Sequence, residues 1–292
     1  MLRRQIGRKF AALRRAAGIT MDQAAVQLDR ARVTLHRIEN GAESVRFRQA
    51  DVEQMLQLYG ASDEQRELLL AMTAATREKK SWWHDWLGSG MPRWFQLYIG
   101  LETSAATIRE YAAELVPGLL QTRRYAEEIF RMPGGAISPD DHEERERLIE
   151  LRSRRQALLT RFNPPQLNVI MNEAMLRRPV GNPAIMAEQL HQLGKATELP
   201  NVTIKVLPFS AGLHAGAMTG AFSILDFDRD ERGKEVEPTV AYLESVTGAV
   251  YLDKPHETEA YNFIWADMTR RALTESRSKS MIKEIAEEYS RA

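Results

Sequence analysis

Apolar residues recur at three- and four-residue intervals through the first quarter of the chain. Ile6, Phe10, Leu13 and Ala17 form one such stripe and predict a helix over about 3–17, with Arg3, Arg4, Arg8 and Arg15 on its wet side. Gly18 suits the left-handed residue that closes a helix. Thr20 is a good N-cap for a second helix whose buried side is Ala24, Ala25 and Leu28, Ala25 being small enough to let another helix approach. A turn at Asp29-Arg30-Ala31 leads to a third helix from near Arg32 to Gly41, with Leu35 and Ile38 on one face. Two short helices around a tight turn read as a helix-turn-helix, whose second member is the usual reader of a DNA major groove. Val52, Met55, Leu56 and Tyr59 predict a fourth helix ending at Gly60. Ser62 with Gln65 three residues on is a capping box opening a fifth, which runs through Leu69 and Met72 to Thr76 and Arg77.

The pattern then changes. Residues 81–98 concentrate Trp82, Trp83, Trp86, Trp94, Phe95 and Tyr98, broken by Gly88, Gly90 and Pro92. A linker that packs the two domains together through its aromatics fits better than a ligand-stacking or partner-docking surface. Residues 102–131 predict two helices around Val116-Pro117-Gly118, the first with Ala105, Ile108, Ala112 and Leu115 inside, the second with Tyr125, Ile129 and Phe130. Ser138-Pro139-Asp140-Asp141 opens a charged helix to about Thr160. Its glutamates at i and arginines at i+4 (Glu143/Arg147, Glu150/Arg154) argue for a solvated, self-paired face rather than a second DNA surface.

Strands are predicted at 167–171, 202–207, 221–227, 239–243 and 249–252, the last two joined as a hairpin near Thr247-Gly248. A helix opens at Asn182-Pro183. Two more close the chain, over about 255–273 with Phe263, Ile264 and Met268 inside, and about 276–290 after Ser276. The fold class is therefore mostly α: a five-helix DNA-binding domain over 1–78, an aromatic-rich linker over 79–101, and a mixed α+β regulatory domain with a small sheet over 102–292.

Charge sharpens this picture. Lys plus Arg and Asp plus Glu each number 40 in 292 residues, yet the first 50 residues hold eleven bases and four acids. A head of net +7 on a body of −7 suits phosphate at one end only. Without cysteine, disulfides, thiolate metal sites and cysteine nucleophiles are excluded together. No apolar run is long enough to span a membrane, and the basic N-terminus has no signal core, so a soluble cytoplasmic protein is expected.

Candidate chemistry in the body is thin. Gly212, Gly216 and Gly220 lie in a loop over 209–220 without phosphate-binding spacing. Asp226, Asp228 and Asp230 read as a charged turn rather than a metal site. His214 lacks an ordered partner, and the six histidines are scattered. No active site, metal or cofactor is expected. An enzyme-like body that modifies a ligand is the lesser alternative, with Asp226, Asp228 and His214 as its only material.

The DNA-reading residues are better defined. Arg32 and Arg37 are expected at bases or groove-edge phosphates, since arginine makes bidentate contacts to guanine. Val33 and Thr34 offer methyl groups to thymine. His36 is either a phosphate contact or a plain exposed residue. Arg46 and Arg48 are expected at the DNA backbone, giving affinity without sequence preference. One such head buries little surface, so a homodimer on a two-fold site in double-stranded DNA is expected.

Residues 3–60 resemble the xenobiotic-response-element (XRE) class of regulators, which share their fold with phage repressors and Cro. The tail Leu-His-Arg-Ile-Glu-Asn-Gly at 35–41 is similar to that class's recognition-helix ending. The resemblance implies an ion pair between Arg14 and Glu39, and a backbone-phosphate position at Met21, where the class often has Gln. The class also often has Gly where Asp29 stands, but Asp tolerates left-handed backbone. Glu-Leu-Val-Pro-Gly-Leu-Leu-Gln-Thr at 114–122, followed by Tyr125-Ala126, resembles the domain that follows such heads in actinobacterial WhiJ-like, antitoxin-like regulators. That resemblance implies that the body binds a small BldB-like protein that modulates DNA occupancy. A small-molecule effector is the alternative.

Overall fold

Five helices follow one another at the front of the chain: α1 (Leu2–Ala16), α2 (Met21–Gln27), α3 (Arg32–Glu39), α4 (Gln49–Leu58) and α5 (Asp63–Ala75). The computed structural model describes residues 2–42, 45, 47–75, 93–132, 142–228 and 237–292, in two units, Met1–Asp85 and Trp86–Ala292. The expected ends of the short helices form locally. Gly18 adopts φ 69° and Asp29 φ 50°. Thr20 and Gln23 make a reciprocal capping box at α2, as Ser62 and Gln65 do before α5. Ile6, Phe10, Leu35, Val52 and Leu56 are fully buried and join α1, α3 and α4 into one core.

The second unit is built on a six-stranded sheet in the order β3-β2-β1-β4-β5-β6. The strands are β1 (Thr107–Ala112), β2 (Gln166–Asn172), β3 (Val202–Leu207), β4 (Phe222–Asp226), β5 (Val240–Ser245) and β6 (Gly248–Leu252). β1, β2 and β3 are parallel and linked through helices; β4, β5 and β6 are antiparallel, with a tight β5–β6 hairpin. The helices are α6 (Arg93–Ser104), α7 (Arg123–Arg131), α8 (His142–Gln156), α9 (Glu173–Arg177), α10 (Pro183–Ala196), α11 (Pro255–Arg271) and α12 (Glu275–Arg291). Behind the sheet, Tyr111, Ile170, Phe222 and Ile224 pack on Met268 of α11.

Five expectations need correction. The predicted helix inside 102–115 is instead strand β1, at the centre of the sheet. A strand covered on both faces loses the clean apolar alternation that marks a half-exposed one, and Ile108, Tyr111 and Ala112 fell into helical spacing by chance. Leu115 is exposed rather than inside. The face of α8 is only partly self-paired. Glu143/Arg147 and Glu150/Arg154 are ion pairs at 3.7 and 3.0 Å, but Arg152 and Arg155 continue the inward stripe of Leu148 and Ile149. Phe263 points to solvent while Ile264 and Met268, four residues apart, turn in. The last helix is capped by Thr274, not Ser276: the Arg277 backbone N–H donates to Thr274 Oγ1.

The segment 114–126 is a buried junction. Thr122 caps α7 through its hydroxyl, and the Thr122 N–H donates to Gln189 Oε1 at 2.7 Å while Gln189 Nε2 donates to the Leu120 carbonyl at 2.8 Å. Gln121 Nε2 donates back to the Val116 carbonyl at 2.6 Å. Buried side-chain amides thus replace water for a stretch of irregular backbone, tying α7, α10 and the turn after β1 together. The Ser138–Asp141 helix start, Trp82, Trp83, Trp86 and Asp230 lie outside the described residues.

Candidate nucleic-acid interface

α3 presents two unlike faces. Leu35, Ile38 and Glu39 are buried, whereas Arg32, Val33, Thr34, His36 and Arg37 are exposed. Val33 keeps 61% of its surface accessible, on the same side as Arg37 four residues later. The first turn of α3 has no side-chain cap, since Ala31 stands at the N-cap. The free end therefore carries Arg32, Val33 and Thr34, the positions from which a recognition helix reaches base edges.

The surrounding charges set how this face is held. Arg32 Nε lies 3.3 Å from Asp22 Oδ1, and both side chains are largely exposed, so the pair is weak and readily exchanged for phosphate. The Asn40 amide, one turn further on, donates to the His36 ring. Arg30 pairs with Asp51 across the turn. Arg48 is exposed at the N-cap of α4. Met21 is half-buried at the first position of α2, and its thioether offers no donor to phosphate. Arg46 lies outside the described residues.

The back of α3 is fixed by two devices. Arg14 of α1 grips Glu39 with both sides of its fork, Nε to Oε1 at 2.7 Å and Nη2 to Oε2 at 2.8 Å, and donates through Nη1 to the Ile19 carbonyl at 2.9 Å. The side chains are 12% and 7% exposed, and the bonds to Glu39 raise the Arg14 guanidinium further above its ordinary value. Burial, with the Glu39 carboxylate adding to it, pushes the neighbouring Tyr59 hydroxyl up to about 12. The second device has no sequence signal in helical periodicity. Gly7 sits mid-helix in α1, where a Cβ would stand 2.3 Å from the Glu39 carbonyl oxygen and 2.5 Å from that of Ile38. Only glycine lets α1 touch the backbone at the end of α3.

A helix-turn-helix family model matches residues 5–69, and a second model, described as a domain of unknown function (DUF5753), matches residues 95–284. The second match covers well over half of the chain. The chain belongs to the DUF5753 family. This DUF5753 chain therefore joins a DNA-binding helix-turn-helix of a transcription regulator to a body whose sheet and helices α7–α11 lie in the family region, with most of α6 and the first part of α12. No curated protein and no solved structure matches it.

In the DUF5753 body the weighed chemical candidates are mostly engaged. Asp226 accepts from Arg109 Nη2 at 2.8 Å and from the Thr239 hydroxyl at 2.7 Å, which makes it a cross-strand tie. Asp228 is exposed. Among the described residues no group of three or more His, Cys, Asp or Glu is arranged to hold a metal. His214 sets its ring edge-on to Tyr111, and burial lowers its imidazole below the ordinary value. Gly216 in the same loop has no room for a Cβ, which would meet Met268 Sδ at 2.2 Å. Among the described residues no helix is long and apolar enough to cross a membrane.

Proposed function

We propose that the protein is a sequence-specific transcriptional regulator of the XRE type that reads double-stranded DNA through α3 as a homodimer. The observation that carries this reading is the exposed Arg32-Val33-Thr34/Arg37 face on a helix clamped from behind by Arg14 and Gly7. Arg37 and Arg32 are assigned to bases, Val33 and Thr34 to methyl contacts. His36, Arg46, Arg48 and the first turn of α2 at Met21 are assigned to the DNA backbone.

The test is binding of wild type and Arg37→Ala to DNA selected from a random pool and to unselected duplex. Wild type should favour selected DNA strongly. Arg37→Ala should lose about 1–3 kcal/mol, roughly fivefold to 150-fold, on selected DNA and far less on unselected DNA. Arg48→Ala should weaken both equally and lower the salt slope by about one. Equal affinity of wild type for both pools overturns the proposal.

The body, on this reading, binds a small BldB-like protein, as in WhiJ-like actinobacterial regulators, and so tunes DNA occupancy. Phe209, Leu213 and Met218, three well-exposed apolar residues in the one loop after β3, support it, since exposed apolar groups in quantity mark protein contacts; Phe263 of α11 is well exposed too. Co-expression of the full chain with a BldB-like protein should yield a complex that Leu213→Asp with Met218→Asp dissolves. Absence of any complex from low to high salt overturns the protein-partner reading in favour of a small-molecule effector.

A further inference from the structure

The sheet of the second unit ends differently on its two sides. At one side lies β3, and the turn into α12 closes its edge. The Val206 N–H donates to the Ser278 hydroxyl at 2.9 Å, and the Leu273 N–H donates to the Val206 carbonyl at 2.8 Å. At the other side lies β6. Its ladder goes to β5, and beyond that ladder its backbone accepts only from the Ser245 hydroxyl within the same hairpin. Among the described residues nothing else bonds to the backbone of Gly248–Leu252.

Alternation decides which groups face outward. The two-residue turn Val246-Thr247 makes Ser245 and Gly248 a bonded pair. Gly248, Val250 and Leu252 therefore bond to β5, while Ala249 and Tyr251 aim both N–H and C=O away from the sheet. The Tyr251 hydroxyl donates to the Trp94 carbonyl, which holds the strand against α6. Val250 keeps 53% of its surface exposed at this rim. Natural edges are shielded by charge, proline, a bulge or a covering element. Gly248-Ala249-Val250-Tyr251-Leu252 has no charge and no proline, and its register with β5 is unbroken.

We propose that β6 pairs antiparallel with β6 of a second copy of this chain, about a two-fold axis through Val250, so that two six-stranded sheets become one. The residues favour this occupant over a foreign strand. An axis through Val250 overlaps all five residues. It sets the outward groups of Ala249 against those of Tyr251 in the second copy, and the reverse, each pair exchanging two backbone bonds. The same register places Gly248 opposite Leu252 and Ala249 opposite Tyr251, small against large, with Val250 against Val250. No like charges meet in the five pairs. A strand that complements itself at every position suits an isologous contact.

This inference rests on the homodimer reading above and assigns its interface to the body. Five residues a side make less than the roughly 800 Å² per partner of a standard interface. The free dimer should therefore dissociate in the micromolar range, and two heads on one two-fold site would add to it.

The experiment is sedimentation equilibrium on the full chain without DNA. Wild type should be dimeric at about 100 µM and dissociate on dilution to about 1 µM. Val250→Lys sets two ammonium groups opposite each other on the axis and should raise the dissociation constant about tenfold or more. Circular dichroism checks that it folds. The second measurement uses the absence of cysteine from the chain. Val250→Cys carries a single thiol. Unbonded antiparallel partners stand about 4.5 Å apart at Cα, within disulfide reach, so mild oxidation should link two chains. Val246→Cys is the control: in this register residue 246 lies opposite 254, roughly 25 Å from its own counterpart, and should not link.

A folded Val250→Lys that stays dimeric overturns the β6 contact and leaves the homodimer standing. So does a Val250→Cys that fails to link, or a Val246→Cys that links as readily. Wild type monomeric at every concentration also overturns the contact, and the homodimer then forms on the duplex or not at all. Because DNA is absent, none of these results bears on how α3 reads bases.

Discussion

Replacing Glu102 with alanine should destabilise the second unit by about 3–5 kcal/mol. Glu102 and Arg155 are 2% and 9% exposed in their side chains and joined by two parallel bonds. Arginine cannot shed its charge, so removal of the carboxylate strands a guanidinium between Phe95 and Tyr98. The double variant Glu102→Leu with Arg155→Met removes both charges and keeps the volume. It should recover most of the loss, because a buried pair gains little over well-packed apolar groups. Urea unfolding of the full chain, with hydrogen exchange to assign the transition to residues 93–292, reads the result. A single variant no worse than the double would show that the guanidinium finds another partner or water.

The second large effect falls on the recognition helix. Glu39→Ala should lower the stability of the N-terminal unit by about 3 kcal/mol, the lower end of the range for a broken buried pair. The lower end applies because Arg14 keeps its bond to the Ile19 carbonyl and 12% of its surface. Arg14→Met with Glu39→Leu should cost less than either single change. DNA affinity separates the two roles of the pair. Glu39→Ala should reduce affinity for selected DNA even at temperatures where the unit is fully folded, since the end of α3 loses its tie to α1. A folded Glu39→Ala protein with wild-type DNA affinity would mean that packing alone orients α3, with Gly7 as the decisive contact.

These two pairs differ in how they could be found. Arg14 and Glu39 lie on helices whose stripes are clear in the sequence, and the class resemblance joined them. Glu102 and Arg155 sit 53 residues apart in segments whose periodicity misled. Arg155 looked like one more solvated charge on a helix of alternating sign, and Glu102 like part of a linker boundary. Gly7 carried no signal either: a glycine mid-helix is a weakness by propensity alone, and its reason is the backbone of Ile38 and Glu39, two helices further along the chain. Glu110 and Glu244, which share a face of the sheet, were likewise invisible as neighbours. They come together only because β1 and β5 both flank β4.

By itself the sequence determined what depends on neighbours a few residues apart. The helix-turn-helix with its caps, the left-handed turn at Asp29, the β5–β6 hairpin and the basic head were legible because spacing, capping chemistry and local charge decide them. Tertiary structure alone decided that 107–112 is a strand, that Arg152 and Arg155 face inward, and which acids and aromatics share one face of the sheet. Each of those outcomes rests on contacts between residues remote in sequence, where burial and pairing outweigh local preference.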